Sequence, residues 1–589
     1  MNYHPFILPF GISAIFLFGM LFFLFLKWIL SLSENQKKTL KKNIISFRIF
    51  KAVWEAIREC IFHRNIFKTN PILGYMHFSL ACGWLLLIVV GKIETTFYSG
   101  TFWDEAWLAI FFRYFENPEI SFTGKYVFNF IMDLLLLFVL SGLFIAMVKR
   151  FRSKIMGMKQ TTKHKFYDRI TLISLWCIFP FRLMAESISA GIKHNGGFLT
   201  QFLGDALSAF PLEMMELPFW WGYSFALCFF FIGMPFTRYM HIFTEVLLIC
   251  LRKWGITEEQ NHTGYTDIEL SSCSRCGICI DVCPIHSELD INTIQSVYFI
   301  RDARHKKLTA ETVNNCLMCN RCVEACPVGI ESTKIREIYR KKNDIEDRQY
   351  YDYIAESRKE IQSEVIYFAG CMSHLTPTTI EAMKKIFEVA NQSYWFMDED
   401  KSICCGRPLL QQGYQKQAAD LQQKNTELIR QSGTKRLVTS CAICYQSFKK
   451  EYDLDVEILH HTEYIDELIQ NGLLQLNKSD LKAVYHDPCE LGRGCDIYDA
   501  PRRVIDTVAH LSAAKQEKEK SICCGYNLGN TTLELDRQMK IRDAALENMI
   551  VENPDVIVTA CPLCKRAFSH GTRQDVEDIS ELVVRMMSK

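Results

Sequence analysis

The sequence has no surplus of either charge. Its formal net charge is +1 over 589 residues, and its second half carries no stripe of lysine and arginine interleaved with aromatics, so nothing argues for a nucleic-acid partner. It lacks a G-x-G-x-x-G fingerprint, the nearest text being LGRG at 491–494, and it has no P-loop text. Neither a dinucleotide fold nor a phosphate cradle is therefore expected. Cysteine is scarce in the first half, where only Cys60, Cys82, Cys177, Cys228 and Cys250 precede residue 273. These five have no ligand spacing and read as small apolar residues. The first apolar run has neither a basic n-region nor a small-residue cleavage site, and reads as a retained helix rather than a signal peptide.

The other 19 of the 24 cysteines lie from Cys273 onward. Two runs, CSRCGICIDVCP and CLMCNRCVEACP, share the spacing C-x2-C-x2-C-x3-C-P. Three cysteines so spaced wrap one face of an iron-sulfur cube, and the fourth, carried past by proline, is aimed at the partner cluster. Cys273, Cys276, Cys279 and Cys326 are expected on one [4Fe-4S] cluster, and Cys316, Cys319, Cys322 and Cys283 on the other. Structural zinc seldom needs two identical four-cysteine runs, and disulfides do not persist in a reducing compartment, which places this half in the cytoplasm.

Before the cysteine runs come five apolar segments, near 5–32, 71–97, 126–148, 166–191 and 217–251, each long enough to span a bilayer as a helix. The loops after the first and third are rich in lysine and arginine, and the other two are nearly free of them. By the positive-inside rule the N-terminus lies outside and the fifth helix delivers the chain to the cytoplasm. The stretch 196–216 is too short for another span and reads as an interfacial lid. His77 and His241 fall near the inner face; each alone could be a packing residue, but two imidazoles at one depth can also supply both axial ligands of a b-type haem. Glu94, Asp133, Arg182, Glu186 and Arg238 are intramembrane charges; Arg182 and Glu186, four apart on one helix face, either neutralise each other or serve quinone binding or proton transfer, and Arg238 is a further quinone-site candidate.

This histidine pattern resembles the haem-bearing gamma subunit of membrane nitrate reductase and its relatives. In that family the second helix carries two histidines ten residues apart and the fifth two eighteen apart. Here Leu87 and Tyr223 stand where the outer haem's ligands would be. The resemblance implies a single haem b held by His77 and His241, a quinone reacting near it, and nearly electroneutral turnover.

The last third repeats itself. Cys371, Cys404, Cys405, Cys441 and Cys444 are answered by Cys489, Cys523, Cys524, Cys561 and Cys564, offset by 118 to 120 residues, and SICCG recurs at Ser402 and Ser521. In each copy one apolar strand ends on the first cysteine and a second on the C-x2-C pair, which predicts α/β layers with ligands at strand C-terminal ends. Cys495 has no counterpart and reads as a non-ligand; His460, His461 and His486 read as structural or as proton donors. These CCG motifs resemble the heterodisulfide reductase catalytic subunit family, which includes iron-sulfur subunits of flavin dehydrogenases and membrane electron-transfer-flavoprotein:quinone oxidoreductases. The resemblance implies a non-cubane [4Fe-4S] cluster in each copy, with an ordinary cube or zinc as the alternative.

The whole reads as a multidomain chain: an all-α membrane domain at 1–255, an α-helical ferredoxin-type dicluster domain at 256–340, a linker at 341–362, and CCG domains at 363–475 and 476–589. The expected function is electron transfer between the (mena)quinone pool and a cytoplasmic electron-transfer flavoprotein or flavin dehydrogenase. The alternative is a quinol-driven disulfide reductase that splits the S–S bond at a CCG cluster.

Overall fold

A computed structural model describes residues 3–158, 162–341, 363–400, 403–530 and 532–587. The expected linker lies, beyond Lys341, outside the described residues. The chain divides into two compact units, Met1–Ile278 and Cys279–Lys589.

The first unit is all helical. Its long helices are α1 (Ile7–Leu30), α2 (Pro71–Ser99), α3 (Lys125–Phe151), α4 (Phe166–Lys193) and α5 (Leu212–Gly233), each long and apolar enough to cross a membrane. Their lipid-type faces are studded with exposed large apolar side chains such as Phe18, Phe22, Phe130 and Phe144, the inverse of a soluble bundle. Asn70 caps α2 by accepting from the Leu73 N–H, with Pro71 at the first helical position. α4 packs on α5, and α2 on α3.

Two sequence boundaries are corrected. α5 begins at Leu212, inside the stretch expected to be a lid, because Glu216 has partners: Ser189 donates to it, and Lys193 lies 3.9 Å away. Only Phe198–Ala206 forms a separate short helix there. At the other end the span does not run on to 251. Two 3-10 turns, Met234–Phe236 and Arg238–Met240, follow α5, and a new helix, α6 (His241–Lys253), begins at His241. Pro235 has no N–H to continue the ladder, and Thr237 is extended. His241 therefore sits at a helix start rather than late in a span.

The second unit opens with short helices around the cysteine runs and continues into two four-stranded parallel sheets. The first comprises β1 (Val365–Phe368), β2 (Tyr394–Phe396), β3 (Arg436–Thr439) and β4 (Glu457–His460), in the order β2-β1-β3-β4. The second comprises β5 (Lys482–His486), β6 (His510–Ser512), β7 (Val556–Thr559) and β8 (Asp575–Asp578), in the order β6-β5-β7-β8. The two orders are the same topology twice, as duplication requires. β1, β5 and β7 are buried almost throughout, as strands covered on both faces must be. One apolar core, including Phe368, Phe387, Val438, Val484, Ile505 and Val558, runs through both copies.

Candidate functional site

In a doubly wound parallel sheet, ligands bind beyond the strand C-termini where the strand order reverses. That reversal falls between β1 and β3 in the first copy and between β5 and β7 in the second. Cys371 follows β1 and Cys441 follows β3; Cys489 follows β5 and Cys561 follows β7. Cys441 and Cys561 are also the N-caps of helices Ala442–Lys450 and Pro562–Ser569, with Cys444 and Cys564 in the first turns. Helix N-termini offer partial positive charge to thiolates. The adjacent pairs Cys404–Cys405 and Cys523–Cys524 arrive on loops that turn at Gly406 (φ 83°) and Gly525 (φ 82°). A side chain at 525 would lie 2.4 Å from the Gln538 carbonyl, which explains the glycine of the CCG text.

Each copy closes its five thiols into one contact chain. In the first, Cys371 touches Cys404, Cys404 touches Cys405, Cys405 touches Cys444, and Cys444 touches Cys441. In the second the order is Cys489, Cys523, Cys524, Cys564 and Cys561, with Cys564 Sγ 3.4 Å from Cys524 Sγ. Neighbouring thiols that donate to Cys404 hold it down at about 3, and those donating to Cys524 hold it well below the ordinary range. The donors Cys371 and Cys523 are pushed up. Five soft sulfurs crowded in one cradle are the donor set of an iron-sulfur site. Gly370 shapes this cradle: a Cβ there would lie 2.8 Å from Cys441 Cβ and 2.9 Å from Cys444 Sγ.

The dicluster thiols fall in both units. Cys273 and Cys276 belong to the first unit, on a segment held to it by Arg275 Nη1 donating to Asp168 (2.5 Å), Lys149 Nζ to the Cys276 carbonyl (3.3 Å), and Thr162 to the Arg275 carbonyl (3.3 Å). In the second unit Cys283, Cys316, Cys319 and Cys322 share one electrostatic neighbourhood, where burial first and the other three thiols next push Cys283 up. This set abuts the second CCG copy. Cys523 donates to Cys319, which is held down at about 6, and Cys283, Cys319, Cys489 and Cys523 pack in one apolar cluster with Ile285, Ile294, Leu317, Leu533 and Ile541.

The two copies differ in access. Cys561 of the second lies in the field of Cys441 of the first. Beyond it, a cavity of about 550 Å³ is lined by Cys371, Met372, Cys404 and Leu409 of the first copy and by Tyr526, Asn527 and Leu528 of the second. Among the described residues, no second-copy cysteine lines it.

Several residues here were not foreseen. Arg493, from the LGRG text, lies in the field of Cys319, Cys489 and Cys523 and donates to the carbonyls of Cys319 (2.7 Å) and Ser521 (2.9 Å). Asp398 accepts from the N–H groups of Ala369 and Gly370 and stands 3.5 Å from His374, three residues after Cys371. The first carries no sequence signal except arginine near a ligand, and the second pairing is purely tertiary. Of the foreseen histidines, His461 bonds Asp578 at 3.0 Å, both fully buried, His460 bonds Thr462, and His486 packs edge-on to Phe568. All three have structural partners. Cys495 packs against the shared core rather than with either thiol set.

In the first unit His77 lies in the electrostatic field of His241, Lys149, Arg238 and His63. The His241 Nδ1 stands 2.6 Å from the Arg238 carbonyl, a backbone contact of the kind that fixes the tautomer and ring orientation of a ligating imidazole. His63, also unforeseen, lies with its ring 5.5 Å from His77. Arg238 reaches His164 (3.4 Å) and Tyr239 (3.3 Å). Arg182 donates to Glu186 at 2.9 Å. Asp133 is structural: it accepts from the N–H groups of Leu199 and Thr200, capping helix Phe198–Ala206. Leu87 and Tyr223 are both buried.

Such thiol sets, at the switch points of a duplicated sheet beside a ferredoxin-like cysteine run, define an iron-sulfur oxidoreductase. The chain carries two CCG cysteine-rich domains, matched at 365–449 and 483–569, and a 4Fe-4S dicluster domain, matched at 269–330. It is 25% identical to the EtfAB:quinone oxidoreductase of Syntrophomonas wolfei over 88% of both chains. It is 26% identical to one subunit of the dihydromethanophenazine:CoB--CoM heterodisulfide reductase of Methanosarcina barkeri, over 54% of this chain and 78% of that one. A probable iron-sulfur-binding oxidoreductase FadF of Bacillus subtilis matches at 31% over 27% of this chain and 24% of its own.

Proposed function

We propose that the chain is an integral membrane enzyme that moves electrons between a quinone in the bilayer and a flavoprotein docking on the CCG domains in the cytoplasm, with its N-terminus outside. The observation that carries this is the order of the thiol sets in the second unit. Cys283, Cys316, Cys319 and Cys322 contact the second copy, the second copy contacts the first, and the first opens on a cleft. The similarity to an EtfAB:quinone oxidoreductase along 88% of the chain supports a flavoprotein and a quinone at the two ends.

The thiol sets would hold two [4Fe-4S] cubes and two CCG-bound clusters, and His77 and His241 would hold one haem b; bound there, these groups supply one-electron carriers. The protein's own part is positional. Helix N-termini and Arg493 offset thiolate charge, apolar side chains such as Leu317 and Leu533 exclude water around Cys319 and Cys523, and the Arg238 carbonyl orients His241. Arg182, Glu186 and Arg238 are the quinone-site candidates.

The cleft on Cys371 and Cys404 favours one second reading, a disulfide reductase in which substrate sulfur enters that cleft. Full-length protein in liposomes with a menaquinone analogue separates the two. Oxidation of a reduced electron-transfer flavoprotein is the expected result, and turnover with disulfides alone would reverse the order.

A further inference from the structure

The outer-haem positions of the two-haem pattern are taken here by Leu87 and Tyr223, and around Tyr223 the bundle buries an unusual number of ionisable groups. Arg182 lies in the electrostatic field of the Tyr223 hydroxyl and donates to Glu186 at 2.9 Å. Glu186 is in the electrostatic field of Glu94 and Arg113. Arg113 donates to Glu94 (2.8 Å) and to Glu116 (2.9 Å), and Lys125 lies 3.1 Å from Glu116. Glu94 and Glu116 are 1% and 0% exposed, whereas Lys125 is 15% exposed.

This series has a direction. At 1.5 Å per residue, about 25 Å of α2 separates His77 from Glu94, and about 16 Å of α4 separates Arg182 from the Lys193 end. The series therefore runs from mid-bundle to the end of the first unit remote from His77.

Neutralisation alone does not account for it. Asp133, in the same bundle, shows what a structural carboxylate looks like, with both oxygens filled by a helix N-terminus. Glu94 instead has one oxygen, Oε2, buried without a hydrogen-bond partner, and so have Ser187 Oγ beside Glu186 and Ser224 Oγ beside Tyr223. A buried polar atom left without a partner is costly, and ionisable groups at this depth are functional by default. Among the described residues no hydrogen bond joins Glu186 to Glu94, and Glu94 is the carboxylate on that side with an unpartnered oxygen.

We propose that Tyr223, Glu186, Glu94 and Glu116, held in place by the permanently charged Arg182 and Arg113, form a proton path joining a quinone headgroup at mid-bundle to water at the membrane face remote from Cys273. It rests on the quinone reading above. Reduction of the quinone takes two electrons arriving from the iron-sulfur side and two protons arriving along this path, giving the quinol; oxidation runs the same balance backwards. Electrons and protons then enter from opposite faces, which replaces the electroneutral turnover expected from the haem count.

The test uses the full chain in liposomes with a menaquinone analogue in the bilayer, a pH dye in the lumen, and dithionite outside, which addresses molecules whose iron-sulfur domains face outward. The expected result is lumenal alkalinisation by two protons per quinone reduced. Glu94→Gln and Glu116→Gln should each slow quinone reduction on the order of 10- to 100-fold, with reduction of the protein's own centres by dithionite unchanged and Glu94→Asp restoring part of the rate. Quinone reduction by wild type with no change in lumenal pH, or wild-type rates in both variants, overturns the path alone. No quinone reduction at all overturns the quinone reading and the path with it.

Discussion

The two CCG copies have one topology and one thiol order, yet they face different things. In the first copy the cavity wall includes Cys371 and Cys404; in the second, Cys489 and Cys523 are packed against Cys319 and aliphatic side chains. The residue after the first ligand shows how the difference was made. In the first copy it is Met372, on the cleft. In the second it is Glu490, buried and held by Arg407 and Gln411 of the first copy, each at 3.0 Å. Duplication thus supplied two cradles of one design, and a few neighbouring side chains left one beside a cleft and packed the other against Cys319. Intact motifs alone do not reveal this.

The largest expected effects would break the comparison outright. Cys523→Ser should abolish electron transfer between quinone and any soluble partner, whereas Gly370→Ala, whose methyl would collide with Cys441 and Cys444, should abolish reaction with the soluble partner while leaving the second copy's magnetic signal intact. Iron content and electron paramagnetic resonance of the purified variants check both, and equal losses from the two signals in either variant would contradict the assignment.

Next comes the pin between copies. Burial opposes the charge on Asp578, yet His461 beside it and the Ser580 hydroxyl and N–H hold its carboxyl below the ordinary value of 3.8. A depressed folded-state value contributes stability that is complete above 3.8 and is lost as pH falls through the folded value. Asp578→Asn should therefore cost about 3–5 kcal/mol at neutral pH, as removal of one partner of a buried pair does, and should lack the acid step that wild type shows below 3.8. Denaturant midpoints measured against pH in detergent give the answer.

The smallest effect concerns Arg493, the guanidinium among Cys319, Cys489 and Cys523. Arg493→Gln should slow transfer between dicluster and second copy by about 10- to 100-fold, with partner oxidation at the first copy by a soluble dye unchanged. Loss at both sites would mean that Arg493 merely holds the fold.

Much of the fold was legible in the sequence: the fixed spacings of Cys273 to Cys326 and of the ten CCG cysteines mark the dicluster and CCG domains, and runs of apolar residues and strands ending on cysteine mark the helices and sheets. Short edge strands were not: Tyr394–Phe396 and His510–Ser512 are three residues each, too short for a period-2 pattern. The start of α5 was misjudged because Glu216 reads as a terminator until Ser189 and Lys193 are seen beside it. The break before His241 was also missed, though Pro235 marks it. Arg493, His374 and His63 belong to their sites only through tertiary proximity, and the unequal exposure of the two thiol sets depends on which neighbours fold over them.

The most direct test of that inequality is electron paramagnetic resonance of the reduced full-length protein titrated with a small thiol too large to enter a sealed core. The signal lost in Cys371→Ser should shift on thiol addition, and the signal lost in Cys523→Ser should not. A shift in the second copy's signal, with the first unmoved, would contradict the division into an open and a buried copy.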